Sequence, residues 1–471
     1  MNVKALSAAV ALACATALPA AYATNGYMSH AYSPHAKGMA GAGEAALPQD
    51  SLSIVGNPAG LTRVGNRADV GAAWFSPNRK YKGTNLTDMR GVNIAPIGDS
   101  PFGGEVTSRA TDFLVPNFGY TRQIDDVSAV GIAVFGNGGM NTQYPGSDTF
   151  MGLGTYGGNS PNNPPFPGLP RLGGANSGVN LEQLGISLGY SRDLADNFSL
   201  GVSGLIGYQT FRAKGLGAFA GFTETFTQSF LATGRPGVAS SLTDNGDDSS
   251  WGYGFQIGGL WDINPMFSLG ASYRTKMYME EFDKYSDLFA DGGDFDMPAV
   301  AAIGAAFRPN DRLTIALDVQ WIGYGDIDAV ANENDLFERC NLQFNPAGYD
   351  ASYCLGGSNG AGFGWDDMTV FKLGAQYEIN DQWTVQAGYS HGEQPIDGSQ
   401  VAFNALAPAV IEDHWTLGAS WRPRDNYEVT FWGMYAPEET VKGPGAFTTT
   451  SAASISMYQY EVGVNFAWLF N

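Results

Sequence analysis

From Tyr458 to Phe470 the chain alternates without interruption: Tyr458, Tyr460, Val462, Val464, Phe466, Trp468 and Phe470 take every second position, and Gln459, Glu461, Gly463, Asn465 and Ala467 fill the gaps. A period of two puts one set on each face of a strand, here one apolar face and one polar or small face. The same grammar recurs from Leu313 to Trp321 and from Phe371 to Tyr377. In all there are about fourteen such segments, starting near residues 67, 112, 127, 179, 197, 250, 266, 295, 312, 365, 382, 411, 426 and 456. Short turns such as Asp125-Asp126, Asn264-Pro265 and Asn380-Asp381 alternate strictly with long connectors, at about 77–111, 137–178, 213–249, 281–294, 325–364, 393–410 and 437–455.

That alternation of connector length is the feature that most narrows the fold. A β-sandwich buries apolar faces against each other and has no reason to lengthen every second loop. A propeller would repeat every 40 to 50 residues or so, and no such repeat is visible. The reading is all-β: an antiparallel transmembrane β-barrel of about 14 strands, with short turns at the periplasmic end and long loops outside. Both mature termini then lie in the periplasm. Composition agrees, since only 15% of residues are charged, against about 25% in soluble domains. A net charge of −21 argues against a nucleic-acid partner.

The N-terminus carries Lys4, an apolar stretch from Ala5 to Leu18, and Ala21-Tyr22-Ala23. A charged start, an apolar middle and small residues at the end make a secretory signal peptide of residues 1–23. Cys14 would leave with it. The remaining cysteines, Cys340 and Cys354, fall in one polar connector of an exported chain, where a disulfide persists. Neither forms a C-x-x-C pair, and the four histidines offer no matching ligand spacing, so no metal and no cofactor are expected.

Residues 24–66 do not alternate, and residues 67–471 form the barrel. The N-terminal stretch contains Asn25-Gly26-Tyr27, the small-residue run from Lys37 to Ala46, and Asn57-Pro58-Ala59-Gly60. A segment so poor in bulk can pack inside another structure, as a plug within the barrel. These motifs resemble those of the FadL-type outer-membrane transporters of long-chain fatty acids and other hydrophobic compounds. The resemblance implies a monomeric barrel closed by an N-terminal hatch, with Asn57, Pro58 and Ala59 as the hatch motif. It further implies an outer apolar groove, an inner pocket, and lateral release at a kink in strand three. It implies, too, insertion by the barrel assembly machinery into outer-membrane lipid. One departure is Asn471 after Phe470, where such barrels end on an aromatic residue, so slower assembly is expected.

Three sets of residues could meet an apolar substrate. Leu216, Phe219, Phe222, Phe226 and Phe230, then Phe282, Tyr285, Leu288 and Phe289, have the spacing of helical faces in two long loops. They either pack the loops together or form a groove for hydrophobic molecules such as long-chain fatty acids or aromatic hydrocarbons. By parity Arg274 and Lys372 point into the lumen, where they either hold a carboxylate head group or neutralise Asp318 and Glu378. Strand three ends in Phe135-Gly136-Asn137-Gly138-Gly139, and Gly136, Gly138 and Gly139 allow a kink for a lateral exit or an ordinary turn.

Two motifs mislead. Gly185-Ile186-Ser187-Leu188-Gly189 has the G-x-S-x-G form, but the alternation runs straight through it, whereas a nucleophile elbow needs a sharp turn. Gly41 to Ala46 fits G-x-G-x-x-A without a preceding strand. The function expected is passive, ligand-gated transport of hydrophobic compounds, with no enzyme activity. The alternatives are a general diffusion porin and a lipid-acting enzyme.

Overall fold

The computed structural model describes residues 24–84, 104–145, 176–235, 237–334, 339–340, 346–401, 403–445 and 448–470. The expected signal peptide and Asn471 lie outside the described residues. Long strands make up the wall: β1 Arg67–Thr84, β2 Phe113–Asp125, β3 Ser128–Asn141, β4 Asn176–Ala195, β5 Phe198–Lys214, β6 Asp248–Asn264 and β7 Phe267–Arg274. They continue as β8 Val300–Asn310, β9 Leu313–Ile322, β10 Met368–Asn380, β11 Trp383–Gly392, β12 Asp413–Arg424, β13 Tyr427–Gly445 and β14 Thr448–Leu469. Each is antiparallel to the next, and β1 pairs with β14 from Arg67↔Leu469 to Thr84↔Ala452, which closes the sheet. The wall is therefore a closed antiparallel barrel of 14 strands, as the alternation implies.

Three of the short turns share a mechanism. Asn264 Oδ1 accepts from the Met266 and Phe267 amides, and Asn310 and Asn380 do the same for Arg312/Leu313 and Gln382/Trp383. An Asn that folds back on the amides two and three residues later reverses the chain at once. At the other end most connectors are long, and those after β5, β7, β9 and β11 carry short helical turns. Parity holds along the wall. Phe255, Ile303, Leu417 and Phe466 are exposed on the outer face, while Gln209, Gln459 and Glu461 are buried on the inner one. Large apolar side chains outside and polar ones inside suit a barrel bathed in lipid. Among the described residues no helix is long and apolar enough to cross a membrane.

Differences from the expected boundaries are local. β8 begins at Val300, after the expected 295 or so, because the preceding segment crosses back to bridge Met277 to Met297. β13 and β14 extend further than expected and pair as far as Gly445↔Thr448. The two long-loop stripes do form helical turns, over Gly217–Phe222 and Glu224–Thr233 in the first and Asp283–Tyr285 in the second.

Candidate functional site

The N-terminal segment packs against inward-facing residues from many strands. Asp318 of β9 accepts from the Gly43 and Ala45 amides at 3.1 Å each. Gln256 and Ser272 donate to the Gly56 carbonyl from β6 and β7. Lys37 is paired with Glu461 of β14 at 2.6 Å, and Arg67 joins Asp69 and Glu428. Asn57 uses its whole side chain: Oδ1 accepts from Ala59 N–H, and Nδ2 donates to the carbonyls of Ala45 and Gly259. Pro58, with no N–H to leave unsatisfied, opens the 3-10 turn that follows. The small residues of the run allow backbone to meet backbone: a Cβ on Gly270 of β7 would sit 1.8 Å from the Ala45 carbonyl oxygen.

Between this segment and the wall lies a small cavity of about 20 Å³ lined by Tyr32, Glu44, Arg274, Asp318, Gln320 and Lys372, among others. Arg274 and Lys372, from β7 and β10, thus converge on one space. Both are buried. Lys372 donates to the His30 carbonyl at 2.9 Å and lies 3.8 Å from Glu44. Arg274 donates to Asn137 Oδ1 at 3.2 Å, approaches Met28 Sδ at 3.7 Å and stacks over the Tyr32 ring. Among the described residues no carboxylate comes within 4.0 Å of Arg274. Glu378 is exposed near the Asn380 turn and partners neither cation. A buried guanidinium served only by neutral groups keeps most of its attraction for an anion.

Strand three departs from the regular ladder here. β2 and β3 pair from Asp125↔Ser128 up to Phe118↔Val134 and no further. Phe113–Asn117 and Phe135–Asn141 face each other without ladder bonds until Arg109 N–H meets the Gln143 carbonyl at 2.8 Å. The result is a window in the hydrogen-bond ladder of the wall, closed above and below. On its other side β3 carries a register shift between Gly136 and Gly138, with Asn137 bulged inward. The free edge of β3 is taken by the N-terminal segment: Gly139 N–H donates to the Tyr27 carbonyl at 2.9 Å, and Ser29 N–H donates to the Asn137 carbonyl at 3.1 Å. A Cβ on Gly138 would lie 2.1 Å from the Tyr27 oxygen, so a glycine is needed for this approach.

Asn137 is the residue that sequence reasoning missed. Its Oδ1 accepts from Arg274 and from Tyr32 Oη, and its Nδ2 donates to Gln183 and contacts Met297 Sδ. Burial raises the Tyr32 phenol above its usual range, so it remains a donor. Tyr27 was also missed as an anchor. Its ring sits among Tyr324, Trp365 and Phe295, with centroids 5.1, 5.9 and 6.0 Å away.

The aromatic loops differ from an open groove. Phe282, Tyr285, Leu288 and Phe289 are buried, packed around Phe211, and Leu216 and Phe219 are buried as well. Phe222 and Phe226 are half-buried, and Phe230 is 44% exposed. A helical stripe specifies a face but not what covers it, and here the loops cover each other. Cys340 and Cys354 are bonded within this cap, their Cα atoms 4.9 Å apart. Ser187 lies on straight β4, paired with Ala133 and Leu205, without an elbow.

Comparison with known proteins places these features. The family model described as "Outer membrane protein transport protein (OMPP1/FadL/TodX)" matches residues 12–160 and 172–462. The long-chain fatty acid transport protein of Escherichia coli (strain K12) is 25% identical over 425 residues, covering 84% of each chain. Among solved structures, a Pseudomonas aeruginosa FadL homologue aligns with a TM-score of 0.64 at 17% identity, over 95% of this chain and 100% of that one. The Pseudomonas putida toluene transporter TodX aligns with a TM-score of 0.63 at 18% identity, over 94% and 99%. At such identities the structural likeness concerns the fold.

Proposed function

Because the chain belongs to the OMPP1/FadL/TodX family of outer-membrane transport proteins, we propose that it carries long-chain fatty acids or similar amphipathic hydrophobic compounds across the outer membrane by passive, ligand-gated diffusion. The observation that carries this reading is the cavity cation pair. In the closed state Arg274 is held by an amide oxygen and Lys372 by a main-chain carbonyl, with the Glu44 carboxylate 3.8 Å from Lys372.

A substrate carboxylate entering the cavity competes for both cations. A carboxylate brings a full negative charge, and can meet a guanidinium with two oxygens, where an amide or main-chain oxygen brings only a dipole, so it displaces Asn137 from Arg274 and the His30 carbonyl from Lys372. Residues 27–32 then lose contacts that hold them to β3, and the window between Phe113–Asn117 and Phe135–Asn141 gives a lateral exit past Gly136, Gly138 and Gly139. Residues 24–66 act as the hatch, pinned by Asn57, Pro58 and Ala59 and released only at their beginning. The long-loop cap faces outward and captures substrate at Phe222, Phe226 and Phe230, and Leu216, Phe219, Phe282, Tyr285, Leu288 and Phe289 admit it as the loops separate. The barrel works as a monomer with periplasmic termini. An open diffusion pore is disfavoured by the packing of residues 24–66 against the inner wall.

The test is titration of the purified barrel with palmitate, alongside a variant carrying Arg274→Gln and Lys372→Gln. The reading expects saturable binding weakened about tenfold or more by the double change. Equal affinity in both proteins would remove the head-group site, and a large steady conductance in planar bilayers would favour a porin.

A further inference from the structure

Arg79 is a further buried cation on the inner wall, beside Arg67, Arg274 and Lys372, and nothing in the transport reading above uses it. It lies on β1 opposite Met457 of β14, with its side chain 1% exposed. Nη1 donates to the Ala110 carbonyl at 3.2 Å, while Nη2 finds no acceptor among the described residues. No carboxylate among the described residues comes within 4.0 Å. Its neighbours along the same inner face are apolar or aromatic, Phe75 and Tyr81, and the Tyr144 hydroxyl interacts with it electrostatically. A guanidinium buried this way, with part of its fork empty, is costly unless an anion visits it.

Its position indicates which anion. Ser108 N–H donates to the Arg79 carbonyl at 2.9 Å, and Ala110 leads directly into β2. Arg109 and Gln143 make the bond that closes the top of the wall window, and Tyr144 follows at once. Arg79 therefore stands at the upper rim of that window, on its inner side. In the closed state the surroundings are sealed by Tyr144 Oη to the Ala405 carbonyl and Thr142 Oγ1 to the Leu406 carbonyl, both 2.8 Å.

We propose that Arg79 is a second carboxylate site, which holds the head group of an amphipathic acid at the window while its apolar tail passes into lipid. The acid accordingly leaves tail first. Facing inward from β1, the guanidinium does not meet the phosphates of lipids around the barrel.

The proposal rests on the transport reading and is tested by charge. Cells carrying the wild-type barrel or an R79M variant are compared for uptake of a long-chain fatty acid and of its methyl ester, which has the same tail and no charge. Acid uptake is expected to fall about tenfold in R79M with ester uptake unchanged. Heat-modifiable migration on gels should show R79M folded, since an apolar side chain replaces an unpaired buried charge. Should R79M fail to assemble, R79K serves, because its ammonium lacks the two-pronged fork: acid uptake drops by a smaller factor and ester uptake holds. Equal loss of acid and ester, or no loss of either, overturns the site. A wild-type barrel that moves neither compound defeats the transport reading instead.

Discussion

Arg274 Nη1 donates to Asn137 Oδ1 across 3.2 Å, which ties the end of β7 to the bulge in β3. A cation that faces the cavity is thereby joined to the strand edge that borders the window. Asn137→Asp should turn this neutral acceptor into a buried ion pair with Arg274 and hold the closed state. Fatty-acid affinity and uptake should both fall, by a factor of about ten, in a barrel that folds normally. Asn137→Ala should act oppositely on gating, giving measurable leak of a small dye from liposomes. Unchanged uptake in N137D would separate Arg274 from control of the window.

The packing of Gly270 against Ala45 offers a test of the hatch. Gly270→Ala places a methyl carbon where the Ala45 carbonyl now sits, 1.8 Å from its oxygen. The hatch must shift, at a cost of about 1–3 kcal/mol. Limited proteolysis with mass spectrometry should find new cleavage in residues 24–66 while the strands stay protected.

Lys37 and Glu461 form a pair with both side chains buried, and Trp432 Nε1 donates to the same carboxylate oxygen at 2.6 Å. Glu461→Ala leaves a buried ammonium without this partner, which costs about 3–5 kcal/mol. The paired change Lys37→Met with Glu461→Leu removes both charges and should cost far less. Hatch protection measured by hydrogen exchange should therefore be lower in E461A than in the double variant.

The docking of residues 24–66 should be sensitive to pH through His35. Burial alone would lower its pKa, but the Glu428 carboxylate and the hydrogen bond donated to Asp50 outweigh that and hold it up to about 9. Nδ1 is 2.9 Å from Asp50 and Nε2 is 3.3 Å from Glu428. A raised folded-state value means the charged form is favoured when docked. Its contribution is complete below the ordinary value of 6.5 and is lost as pH climbs through about 9. Protease resistance of residues 24–66 should thus hold in acid and decline above neutrality. His35→Asn should abolish the decline.

Much of the fold was legible in the sequence because a barrel wall is built from local rules. The period-two pattern assigns each strand residue to lipid or lumen, as the exposed Phe466 and buried Glu461 bear out. Asn264, Asn310 and Asn380 mark their own turns through bonds to amides two and three residues away. Even the inward direction of Arg274 and Lys372 follows from parity.

What surrounds an inward side chain is another matter, since it depends on chain segments hundreds of residues apart. Nothing in the alternation of β3 shows that its edge leaves β2 and bonds to Tyr27 and Ser29, because ladder pairing is set by which backbone reaches it first in space. The spacing of Phe282, Tyr285 and Phe289 predicted a helical face, and only the folded cap decided that Phe211 and the neighbouring loop would cover it. Sequence periodicity thus determined the wall and the direction of its side chains, through steric rules that act within a few residues. The tertiary structure alone decided the window, the Asn137 hub and the unfilled fork of Arg79, because each arises where strands distant in sequence fail to pair or leave a polar group unanswered.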